Sequence, residues 1–142
     1  MSNIDLQRYT EFVAAVTSKE SNNLTDFVNR IDTLNENNER TSGPSVNVPL
    51  LFTACLGLAA EAGEFTEIVK KMVFQGKPLN DDNLRHMMLE LGDVFWYWTN
   101  ACRALDINPN EVIAANVKKL EARYPGGSFD AFYSENRKEG DL

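Results

Sequence analysis

The 142 residues predict an all-α helical bundle with four to five main helices, and three observations carry that expectation. Apolar residues return at three- and four-residue steps along most of the chain, which is the period of one helix face. No stretch alternates apolar and polar residues convincingly, as a half-buried strand would. The prolines, Pro44, Pro49, Pro78, Pro109 and Pro125, stand between the periodic segments or at their starts, where helices begin and end.

The first helix is read from about Asp5 to Thr17 on the stripe Leu6, Tyr9, Phe12, Val13 and Val16. A more polar second segment, Leu24 to Leu34, carries Phe27, Val28 and Ile31 at the same period. Residues 35–49, rich in Asn, Ser and Thr with Gly43, Pro44 and Pro49, read as a loop. A long helix follows from Leu50 to about Phe74 and stops at Gly76-Lys77-Pro78. Asn80 or Asp81 caps the next helix, which runs to about Leu105. After a turn at Asp106–Asn108, Pro109 suits the first position of a helix ending near Tyr124. The tail, 128–142, is polar except for Phe129, Phe132 and Tyr133, which could dock on the bundle.

Length and composition bound the rest. At roughly 100–200 residues per domain, 1–142 is read as one domain. Twenty-one acids against 14 bases give a net charge of −7, which argues against a nucleic-acid polymer as partner. The N-terminus carries no secretory pattern, and Gly43, Pro44 and Pro49 interrupt the longest uncharged stretch, so a cytoplasmic protein without membrane contact is expected. Cys55 and Cys102, far apart and without CxxC spacing, read as buried free thiols.

The placement of four acids is the informative feature. At about 100° per residue, Glu61 and Glu64 share one helix face, and Glu90 and Asp93 share another. Leu50 to Ala60 lead into the first pair, and Leu89, Leu91, Val94, Phe95, Trp96 and Trp98 surround the second. Helices so apolar are expected to be central in a bundle, where unpaired carboxylates are costly. Gly57, Gly63 and Gly92 would let backbones approach closely. If the two helices run antiparallel, four oxygen donors converge, and such a set suits a hard divalent cation, Mg²⁺ or Mn²⁺. The alternative is a set of surface acids paired with Lys70, Lys71 or Arg85. His86, Tyr97 and Asn100 fall near the direction of Glu90 and Asp93. Lys71 lies close to the direction of Glu64, while Lys70 points away and Glu67 lies further round. On the last helix, Asn116, Lys119 and Arg123 make a polar stripe that could clamp phosphate oxygens.

Gly57-Leu58-Ala59-Ala60-Glu61-Ala62-Gly63-Glu64, then Glu90-Leu91-Gly92-Asp93-Val94, then Asn116-Val117-Lys118-Lys119-Leu120 with Arg123-Tyr124-Pro125, resembles the MazG-like nucleoside triphosphate pyrophosphohydrolases. The resemblance is to the small single-domain members and covers about 48–137, with 25 residues between the ExxE and ExxD motifs. It implies the all-α NTP pyrophosphatase fold and Mg²⁺-dependent cleavage of a (d)NTP to (d)NMP and pyrophosphate, with Mn²⁺ as a substitute. Carried over by position, Glu61, Glu64, Glu90 and Asp93 are the metal ligands and catalytic acids. Asn116 and Lys119 match positions that contact the nucleotide, Tyr97 and Arg123 match positions lining the same site, Lys71 is expected to join Lys119 and Arg123 in binding the substrate's phosphates, and a homodimer or homotetramer is implied. The Asn-rich stretch Ser21–Asn38 has no aligned counterpart. Two other readings stand beside this one, a non-catalytic nucleotide-sensing or protein-binding module and a purely structural bundle.

Overall fold

A computed structural model describes residues 5–36 and 46–136. Every regular element among them is helical, in the order α1 (Leu6–Val16), α2 (Lys19–Asn22), α3 (Leu24–Glu36), α4 (Val48–Gln75), α5 (Asp81–Ala104), α6 (Pro109–Arg123) and α7 (Ala131–Glu135). The chain divides into two units, Met1–Val48 and Pro49–Leu142.

In the first unit, Asp5 caps α1 by accepting the Arg8 amide at 3.1 Å. The short α2, capped by Ser18, was not anticipated from the sequence, and it packs on α3. Asn23 Oδ1 accepts the Asp26 amide at 3.1 Å and starts α3. That helix runs two residues past the expected Leu34, to Glu36. Asn35 Oδ1 then accepts the amide of Val48 at 3.3 Å, meeting one of the four amides that α4 cannot satisfy itself. The expected loop therefore keeps neither end: Asn35 closes α3 and Val48 opens α4, while 37–45 lie outside the described residues.

The second unit is built on two long helices. Twenty-eight residues make α4 about 42 Å long at 1.5 Å per residue. Gly76, at φ 71°, ends it in the left-handed conformation that glycine adopts freely, and the Lys77 amide turns back to the Lys71 carbonyl. Asn80 caps α5 by accepting the Asn83 amide at 3.0 Å. At the far end Ile107 N–H bonds Cys102 O and Asp106 N–H bonds Arg103 O. This is a Schellman closure with Asp106, at φ 49°, where glycine is usual. Pro109 opens α6 behind the Asn108 cap.

By length and composition α4 is apolar enough to cross a membrane. It also carries Glu61 and Glu64, and carboxylates at mid-bilayer depth are costly.

Burial departs from expectation. Ala54, Ile68, Cys102 and Ala104 are buried along α4 and α5, but among the described residues no large side chain is fully enclosed. Phe95 is 62% and Trp96 55% exposed, so these rings do not fill the core of the monomer. A helix apolar all round need only be central in an assembly, not in one chain. Cys102 is a buried free thiol as expected, whereas Cys55 is free and exposed. Phe129 lies against Tyr124, with ring centroids 5.9 Å apart, but Phe132 on α7 stays largely exposed rather than docked.

Candidate metal centre

The close approach of α4 and α5 starts at a residue without a side chain. A β-carbon at Gly57 would overlap the ring of Tyr97, so the tyrosine rests directly on the α4 backbone. The other two glycines do not act this way: a β-carbon at Gly63 or Gly92 would meet nothing. With Gly57 against Tyr97, two antiparallel helices of equal rise bring Glu61 level with Asp93 and Glu64 level with Glu90.

The carboxylates meet accordingly. One oxygen each from Glu61, Glu64 and Glu90 lie within 4.8 Å of one another. Glu90 is buried, Glu61 half-buried and Glu64 exposed. Asp93 is exposed and does not join that set, although its charge acts on Glu61. The Glu61 carboxyl is held above the ordinary value of 4.5, first by loss of solvent, then by the charges of Glu64, Asp93 and Glu90. A hydrogen bond between Glu61 and Glu90 raises it further. Two carboxylates can bond only through a proton, so their mutual repulsion is relieved by a proton or by a cation in its place.

This donor set fits a divalent cation. All three converging atoms are carboxylate oxygens, the hard donors that Mg²⁺ and Mn²⁺ take, and the exposed edge at Glu64 leaves an approach from solvent.

The lysines show how the acids sort. Lys70 and Lys71 both pair with Glu67, the latter at 3.2 Å, and these contacts hold the Glu67 carboxyl below 4.5. Lys70 points away from Glu64, as the helix spacing implies, and from three residues along the helix it reaches Glu67. The neighbouring basic groups on α4 thus neutralise the outlying acid rather than Glu61 or Glu64. On α5, His86 Nε2 lies 2.8 Å from Oε1 of Glu90. The sequence placed His86 on the acid face without a role; its i, i+4 spacing to Glu90 was the available signal.

The remaining nucleotide-contact candidates occupy one stripe of α6. Asn116 and Lys119 are exposed and Arg123 is half-exposed. Along α5, Gly92, Phe95, Trp96, Thr99, Asn100 and Arg103 line an open groove of about 310 Å³. Buried Asn100 is satisfied there, donating to Trp96 O at 3.1 Å and accepting from Arg103 Nη1 at 2.8 Å.

Against known proteins, the family model described as the MazG nucleotide pyrophosphohydrolase domain matches residues 52–128, which include all four acids and the α6 stripe. The chain is 34% identical over 73 residues to the "Gene 37 protein" of Mycobacterium phage L5. That similarity covers 51% of this chain and 64% of the phage protein, less than two thirds of its length. No solved structure matches the chain.

Proposed function

The chain belongs to the MazG nucleotide pyrophosphohydrolase family, and from that premise we propose that it hydrolyses a nucleoside triphosphate between the α- and β-phosphates, releasing a (d)NMP and pyrophosphate, with Mg²⁺ as its cation. The observation that carries this reading is the convergence of Glu61 and Glu64 on α4 with Glu90 on α5, beside Asp93. A triphosphate, itself strongly negative, does not approach such a cluster unaided. Bound among these carboxylates, a divalent cation neutralises phosphate oxygens and makes a water molecule more acidic.

The residues divide the remaining work. Glu61, Glu64, Glu90 and Asp93 hold the cation, and one of these acids orients the attacking water and takes its proton. Lys71, Lys119 and Arg123 meet the negative charge that accumulates on the departing pyrophosphate. Tyr97 and Asn116 contact the nucleotide, Tyr97 from its seat over Gly57 at the edge of the cluster. The role is control or cleansing of the nucleotide pool, in the cytoplasm, where the substrates are.

The assembly belongs to the same reading. Leu84, Met88, Leu91, Phe95 and Trp96 are each more than half exposed on α5. A contiguous apolar face of that kind marks an interaction surface. We assign it to a second copy of the chain, in a homodimer or homotetramer.

The test is a panel of standard, deoxy- and modified triphosphates assayed for pyrophosphate release with Mg²⁺ and Mn²⁺. At least one substrate is turned over, and Glu64→Gln and Asp93→Asn abolish turnover while retaining wild-type helicity by circular dichroism. No turnover across the panel would overturn the reading, and nucleotide binding without cleavage would favour a sensing module.

A further inference from the structure

The chain has one histidine, and it touches the buried member of the carboxylate cluster. His86 stands one helical turn before Glu90, with its imidazole about half exposed and its Nε2 2.8 Å from Oε1. The Glu90 side chain is 8% exposed, so water reaches little of it. A carboxylate turns readily about its last torsion, and a donor on one oxygen fixes the plane and thereby the direction of the other. Glu61 and Glu64 lie on the opposite helix and cannot serve as that donor when ionised.

We propose that His86 is a positioning residue for the cation site: its Nε2–H holds Oε1 of Glu90 and keeps the second oxygen turned toward Glu61 and Glu64. The proposal rests on the cation-binding part of the function proposed above. It does not depend on the charge of the imidazole, because the neutral Nε2–H tautomer donates the same bond as the imidazolium. What His86 supplies is pre-organisation. Without it, binding a cation must first freeze the Glu90 carboxylate into one of several orientations.

The experiment is a titration of Mn²⁺ into the full-length chain without nucleotide, following the free-ion signal by electron paramagnetic resonance at one fixed, mildly alkaline pH. His86→Ala is expected to weaken Mn²⁺ binding about 10–100-fold, as loss of an orienting partner to a ligand does. His86→Gln keeps an N–H donor at the same helical spacing and restores affinity to within about threefold of wild type. Circular dichroism reports the fold of each variant, and alanine on a half-exposed helix face favours the helix. Equal affinity in His86→Ala and wild type overturns the proposal. Equal losses in the alanine and glutamine variants overturn it too, because the donor would then not be what matters. Failure of the wild type to bind Mn²⁺ would remove the cation site itself, and with it the reading on which the proposal rests.

Discussion

Gly57 lies directly beneath the ring of Tyr97, so that even a methyl group at position 57 would occupy the space of the ring. In an isolated helix Gly→Ala gains about 1 kcal/mol. Here the clash should reverse the sign, because overpacking costs about 1–3 kcal/mol. Gly57→Ala is therefore expected to destabilise the wild type, yet to stabilise a Tyr97→Ala background, by urea unfolding. The same effect in both backgrounds would show that the ring does not define the helix spacing.

Glu61 sets a pH dependence of stability. Its folded-state carboxyl is raised above 4.5, so its contribution is fully present below that value and lost as pH rises through the raised folded value. At neutral pH the metal-free protein carries the repulsion. Glu61→Gln should then melt higher than wild type in chelator near neutrality, with the difference shrinking as pH falls toward 4.5. The variant should also lose the stabilisation that Mg²⁺ gives the wild type. A melting difference independent of pH would contradict this account.

Glu67 has the opposite sign. Its carboxyl is lowered by Lys70 and then Lys71, so its contribution is present above 4.5 and lost as pH falls through the depressed folded value. The pairs are solvent-exposed, and Glu67→Gln should change stability only slightly. Kinetics are more telling. If Lys71 leaves Glu67 for substrate phosphate, Lys71→Ala raises KM while Glu67→Gln lowers it or leaves it unchanged. A rise in KM in both variants would instead tie Lys71 to its salt bridge.

The apolar face of α5 predicts an assembly sensitive to charge. Phe95→Glu or Trp96→Glu should shift the mass measured by light scattering to that of one chain. Wild type already monomeric at micromolar concentration would reject the interface.

Asp106 predicts a stereochemical asymmetry. At φ 49° a β-branched side chain is strained by about 1–2 kcal/mol, so Asp106→Val should destabilise while Asp106→Gly should not. Equal unfolding midpoints for the two variants would count against the Schellman closure at this turn.

Much of this was legible in the sequence because it is written at short range. Asn80 or Asp81 announces a cap, Gly76 a stop and Pro109 a start, and each is settled within a few residues. The three- and four-residue steps likewise put Glu61 with Glu64, and Glu90 with His86, on single faces. Relations between helices were harder. Three glycines were equal candidates for close approach, and only the position of Tyr97 distinguishes Gly57 from Gly63 and Gly92. Composition left Phe95 and Trp96 open between the core of the chain and an exposed face, because the same residue types suit both, and only the fold shows them exposed. The short α2 escaped because four residues are too few to show a period.

The two halves of the carboxylate cluster are joined by the turn 76–80, yet neither half depends on that turn for its aim. What matters is rotational phase along α4 and α5, at about 100° for each residue. Lengthening the turn would change the tether and leave the carboxylates facing one another. One residue inserted between Gly57 and Glu61, or between Glu90 and Tyr97, would swing an acid a quarter-turn or more away from its partners. The chain can thus tolerate change where it bends and very little where it runs straight.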